Sequence, residues 1–157
     1  MSRSILGLLT ALLAAVALSA CGGGDEETTT ADFRKDYAPI SAAIRGLGTE
    51  VGAAVTSAKG KSDLELQEQF ADLADRANVV ADDLAEAKTP DDAAITTTRA
   101  ALVTGVRKAA ADLDAISGAA AANDGEAAKA ATIRLAKDSE GIREPRRKLD
   151  QLVLSSN

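Results

Sequence analysis

Residues 62–87 read SDLELQEQFADLADRANVVADDLAEA and carry the clearest helical pattern of the chain. Ser62 is followed three residues later by Glu65, the spacing of a capping box at the start of a helix. Beyond it, apolar side chains return at alternating steps of four and three, the a/d order of a helix that packs along one face: Leu66, Phe70, Leu73, Ala77, Val80, Leu84 and Ala87. The stretch therefore predicts an amphipathic helix.

The segment before it predicts a first helix, from about Ala31 to Ala58. Its apolar positions are also three and four residues apart: Phe33, Tyr37, Ile40, Ile44, Leu47, Val51, Val55 and Ala58. Lys59-Gly60-Lys61 suits the end of this helix, since glycine tolerates the left-handed C-terminal position and lysines favour the negative end of the helix dipole.

The segment after it predicts two further helices. Thr89 is expected to cap the third, with Pro90 at the first helical position and acidic residues behind it. Asn123-Asp124-Gly125 interrupts the apolar pattern, and a fourth helix is expected to run to about Leu154. Four amphipathic helices with short connections predict an all-α fold, an antiparallel up-down-up-down four-helix bundle with coiled-coil-like seams over residues 31–157.

The fourth helix departs from its own pattern at two positions. Asp138 falls on the apolar seam, and Pro145 has no N–H to bond the carbonyl of Gly141, so a kink is expected. One interpretation is a bend that opens a small polar cleft beside Asp138. The other places Asp138 sideways in solvent, with Ser139 or Ile142 on the seam. Similarly, Pro39 either kinks the first helix or marks its true start.

The seams are rich in alanine, which lets helix backbones approach closely. Gly48 and Gly52 lie one turn apart on the first helix, and we expect them to pack against a neighbouring helix. A core filled with small apolar side chains leaves little room for a large bound group. No cofactor is therefore expected.

The N-terminus carries a second pattern, Leu18-Ser19-Ala20-Cys21 before three glycines. Arg3, an apolar run from Ile5 to Val16 and small residues before the cysteine are typical of a secretory signal peptide over residues 1–20. The pattern resembles the lipobox of bacterial lipoproteins. The resemblance implies removal of residues 1–20, a diacylglyceryl group on the Cys21 sulfur and acylation of the new N-terminus. It also implies a protein fixed to the cell membrane and facing outside the cytoplasm.

Other roles for this segment fit less well. Residues 5–20 fall short of the roughly 20 apolar residues that span a bilayer. A buried core thiol does not suit a cysteine that is followed by glycines and acidic residues. Residues 21–30, rich in glycine, threonine and acidic side chains, are expected to form a flexible tether of roughly 15–18 Å between lipid and bundle.

Composition excludes several functions. The chain has 24 acidic and 18 basic residues, and this acidic balance argues against nucleic acid as a partner. Histidine is absent and the single cysteine is already assigned, so the usual ligands of zinc, copper and haem are lacking. Catalytic Ser-His-Asp and Cys-His arrangements cannot form without histidine.

Helix four carries the one dense basic cluster, formed by Arg143, Arg146, Arg147 and Lys148. In an up-down bundle this cluster lies in the half nearest the tether. There it would contact anionic lipid headgroups at about 1 kcal/mol per charge. The alternative is that these side chains are solvated or pair with the acidic residues expected at the same end, where exposed ion pairs contribute little.

Taken together, these patterns predict a lipid-anchored envelope protein that acts as a non-enzymatic binding or structural module, with an envelope protein as its partner. The alternative is a sensor or carrier that binds a small ligand near the kink of helix four, through Asp138, Arg143, Arg146 or Arg147. An enzyme that uses only carboxylates is the least favoured class, because no pair of them belongs to a motif. The oligomeric state stays open.

Overall fold

A computed structural model describes residues 28–154 of the chain. All regular secondary structure in these residues is helical: α1 Thr30–Ser57, α2 Asp63–Glu86, α3 Ala93–Ala121, α4 Gly125–Asp138 and α5 Glu140–Leu154, with a 3₁₀ turn at Ala58–Gly60. The all-α prediction is therefore confirmed. No helix in this part of the chain is long and apolar enough to cross a membrane. The predicted signal peptide and Cys21 lie outside the described residues.

The packing of the helices is consistent with the predicted up-down order. Contacts join α1 to α2, α2 to α3, α3 to both α4 and α5, and α5 back to α1. Ser117, near the end of α3, donates to the carbonyl of Gln67 near the start of α2, and Arg34 at the start of α1 donates to Val153 at the end of α5. Both pairs of helices therefore run antiparallel.

An apolar core lies between the helices, and its buried residues fall between Phe33 and Val153. The rings of Phe33 and Tyr37 stack with their centroids 5.6 Å apart. Leu84, Leu102 and Leu113 are almost completely buried. Burial of such side chains contributes about 1.5–3 kcal/mol each, so this core is the main source of stability for the packed helices.

Two helix caps were predicted from the sequence, Ser62 and Thr89, and the structure confirms the first. The capping box of Ser62 and Glu65 is present. The prediction that Thr89 caps the third helix is wrong. Asp92 takes this position, because its carboxylate accepts from the N–H groups of Ala94 at 2.7 Å and Ile95 at 3.0 Å. An aspartate that reaches two free N–H groups is a strong cap.

The fourth helix is divided, but not at its proline. Pro39 and Pro145 both lie inside continuous helices, α1 and α5. The division falls at Ser139, where the Ile142 N–H donates to the Ser139 carbonyl at 3.2 Å in a tight turn. The expected kink of helix four is therefore a break between α4 and α5.

At the start of α5, the backbone comes very close to α3. Pro145 has no N–H to bond the Gly141 carbonyl, and that carbonyl faces Gly105 of α3. A methyl group at position 105 would lie 2.7 Å from the Gly141 oxygen. Only glycine allows α3 and α5 to pack at this distance.

Candidate binding groove

An open groove of about 670 Å³ runs between the C-terminal half of α1 and the junction of α4 and α5. One wall is α1, with Leu47, Val51 and Val55. The floor is α3, with Val106 and Leu113, and α4 and α5 form the opposite wall. The lining is largely apolar, although it faces solvent.

The groove exists because α1 presents glycine where it faces α4. The prediction that Gly48 and Gly52 pack closely against a neighbour is wrong. A Cβ at either position would meet no atom within 4 Å, and both residues line the groove. Val55, which the seam places in the core, is 37% exposed. The two glycines thus leave space that larger side chains would fill.

One end of the groove is basic. Its charged lining residues are Arg45 of α1 and Arg143 and Arg146 of α5. Because α1 and α5 run antiparallel, residues early in the α1 wall face residues late in the opposite wall. The three guanidinium groups therefore lie at the same end, while the other end is formed by apolar side chains and Thr132.

A buried polar network supports this basic end. Asp150 Oδ1 accepts from the Tyr37 hydroxyl at 2.7 Å and from the Ser41 hydroxyl at 2.9 Å. Arg45 donates to Ser41 at 3.0 Å, and Arg146 lies 4.0 Å from Asp150 Oδ2. Tyr37 and Ser41 are fully buried. The network therefore ties α1 to α5 and holds two of the three arginines.

Burial raises the pKa of Tyr37 far above its ordinary value, and the hydrogen bond to Asp150 adds to this effect. Above about pH 10, the unfolded chain loses the phenol proton while the folded protein keeps it. We therefore expect the contribution of Tyr37 to the free energy of unfolding to be independent of pH below that value. Above it, this free energy should fall by as much as about 1.4 kcal/mol per pH unit.

Tyr37 is the single tyrosine of the chain, so phenolate absorbance follows it alone. Absorbance of the folded protein should rise well above pH 10, and urea unfolding curves across this range give the pH slope. The Tyr37→Phe variant should have a flatter slope, which isolates the contribution of the tyrosine. A Tyr37 that ionises at its ordinary pH in the folded protein would contradict the network.

The structure brings some of the predicted site residues together and separates others. Arg143 and Arg146 line the groove, as do Ser139 and Ile142, the residues that the alternative interpretation of helix four placed on the seam. Asp138 ends α4, is half-buried and is not among the residues that line the groove. Arg147 is exposed and does not line this groove, but it shares an adjoining polar pocket on α5 with Arg143 and Arg146.

The sequence analysis did not single out Arg45 or Ser41, which both belong to the basic end of the groove. Arg45 directly follows the seam residue Ile44, and Ser41 directly follows the seam residue Ile40. The available signal for Ser41 was its spacing, four residues after Tyr37 and three before Ile44, which also suits the inward face of a helix. Searches against protein-family models, curated proteins and solved structures find no match to this chain.

Proposed function

We propose that this chain is an exported, lipid-anchored and non-enzymatic helical protein that binds a small apolar or amphiphilic ligand in the groove between α1 and α4. The observation that carries the proposal is the open apolar space over Gly48 and Gly52. It lies beside the break at Ser139, which favours the ligand-binding alternative over a purely structural role.

The size and lining of the groove suit a small ligand. Binding sites for small molecules occupy roughly 300–1,000 Å³ and combine apolar walls with a few polar groups. Here the walls are aliphatic, and the polar side chains include hydroxyls such as Thr132 and the three guanidinium groups. Guanidinium groups donate hydrogen bonds and do not accept protons at neutral pH. This chemistry supports binding rather than proton-transfer catalysis.

The lipobox-like Cys21 supports the location in the proposal. Two or more acyl chains hold a protein stably at a membrane, whereas one chain does so only marginally. A groove protein that is held near a membrane by a short tether has ready access to molecules that partition into lipid.

A neutral apolar dye tests the proposal. The protein used begins at position 21 and carries Cys21→Ser, because the buried core described above lies downstream of that position. We expect Nile red to bind with increased fluorescence. The Gly48→Leu variant should weaken this binding at least tenfold, since leucine adds bulk to the groove at a position where its Cβ meets no atom within 4 Å.

Gly46→Leu is the matched control. Gly46 lies on the same helix and is exposed, and a methyl group there would also meet no atom within 4 Å, but this residue does not line the groove. The variant should bind the dye like the original protein. Equal binding by both leucine variants, with their thermal unfolding unchanged, would contradict the proposed function.

A further inference from the structure

We infer that the ligand of this groove is a fatty-acid carboxylate, with its head at the three arginines and its single alkyl chain along the floor beside Gly48 and Gly52. This inference rests on the proposed function and names the ligand class for the same site. Charge complementarity argues for it, because the charged lining residues are arginines at one end.

The shape of the groove matches one chain with one charged head. The α1 wall from Ile44 to Val55 rises by about 16 Å at 1.5 Å per residue. Charge is confined to its first turn, and Val51, Gly52 and Val55 continue the wall without charge. A diacyl lipid would need a second apolar channel beside this one, and the groove has a single floor on α3.

The guanidinium groups retain capacity for an anion. Arg45 donates to a neutral hydroxyl, that of Ser41. Arg146 stands 4.0 Å from Asp150, whose other oxygen already accepts from two hydroxyls. Arg143 pairs with Glu140 at the surface, where both side chains are more than 70% exposed, and such pairs contribute little.

A carboxylate is the anion that best fits these donors. Guanidinium groups bind carboxylates through paired, charge-assisted hydrogen bonds, which are about twice as strong as neutral ones. The side chain of Arg146 is 25% exposed, and partial burial strengthens its attraction for an anion. A fatty alcohol with the same alkyl chain would make the same apolar contacts but has no negative charge for the arginines to bind.

Displacement of Nile red by matched amphiphiles below their micellar concentrations tests the inference. The protein is the Cys21→Ser chain from position 21, and the ligands are dodecanoate, dodecanol and dodecyltrimethylammonium at a pH where the acid is ionised. We expect dodecanoate to displace the dye at a concentration at least tenfold lower than dodecanol, and the cationic amphiphile to be weakest.

Substitution of the arginines tests where the carboxylate head of the ligand binds. Arg45→Gln combined with Arg143→Gln should reduce the preference for dodecanoate over dodecanol to less than threefold, while Nile red binding is retained. Arg107→Gln removes the same charge from α3, where the exposed Arg107 pairs with Asp82 and does not line the groove, and it should leave the preference unchanged. The Arg45→Lys variant should keep more of the preference for dodecanoate over dodecanol than the Arg45→Gln variant does.

The outcomes separate the two proposals. If dodecanol binds as well as dodecanoate, or the cationic amphiphile binds best, the carboxylate assignment is overturned and the proposed function stands. Displacement only by phospholipid vesicles also overturns the assignment. If Nile red binding does not depend on Gly48, the proposed function fails first, and the assignment of the head fails with it.

Discussion

The Gly105→Ala variant is expected to lose about 1–3 kcal/mol of unfolding free energy, because its new methyl group would lie 2.7 Å from the Gly141 carbonyl oxygen. That oxygen belongs to the backbone and cannot rotate away, so α3 and α5 must separate. The loss exceeds the gain of about 0.5–1 kcal/mol that alanine brings to a helix interior. Urea denaturation followed by circular dichroism measures the difference.

Gly118→Ala provides the matched control for this variant. Gly118 lies on the same helix, but a methyl group there meets no atom within 4 Å. Its unfolding free energy should rise by up to about 1 kcal/mol from helix propensity alone. The two substitutions are chemically identical, so their opposite signs would isolate the contact between α3 and α5. A stabilising Gly105→Ala would contradict the described packing.

The Cys21→Ser variant of the full chain is expected to move almost completely from the membrane fraction to the soluble fraction when expressed in a bacterium. The hydroxyl cannot receive the thioether-linked lipid, and without acyl chains the bundle loses about 0.8 kcal/mol of membrane affinity for each buried CH₂. Cell fractionation measures the shift, and intact mass spectrometry of the original protein should show the added acyl mass.

Ser19→Ala is the control for this experiment, since it keeps a small residue before the cleavage point and leaves the cysteine in place. It should remain in the membrane fraction. An original protein with a free thiol, or one that is released as readily as Cys21→Ser, would rule out the lipid anchor.

Local rules predicted the helices well because each depends on residues close in sequence. Ser62 and Glu65 cap α2 through groups three residues apart, and this pair was predictable. The start of α3 was not, because Thr89 and Asp92 are both good caps. The cap is the residue whose side chain the backbone turn points at the free N–H groups of the helix. Asp92 reaches two of these groups.

Hydrophobic periodicity could not predict the groove, for a physical reason. Apolar spacing shows which face of a helix points inward, but not how far the facing helix lies. Val51 and Val55 keep the spacing of core residues and still line open space. Gly48 likewise suits both a tight contact and a gap. Only the placement of α4 distinguishes these cases, and the spacing of apolar residues does not specify it.

The polar network was equally hidden, since its members are far apart along the chain. Ser41 looks like an ordinary helical serine, and Asp150 like a surface aspartate beside the buried Leu149. Their hydrogen bond joins residues 109 positions apart. No local signal connects them, although a serine one turn after Tyr37 needs a hydrogen-bond partner when it is buried.

The two sides of the groove are anchored unequally. The α3 floor is part of the core and packs against helices on both sides. By contrast, hydrogen bonds to the neighbouring helices hold α1 at Tyr37, Ser41 and Glu50, the last through Arg76. Beyond Glu50, α1 ends in a stretch with few buried side chains, the kind of segment that opens at low energetic cost. Such a groove has one rigid wall, on α3, and one wall that yields, on α1. It would accept alkyl chains of different width and would select ligands mainly by their charged head group.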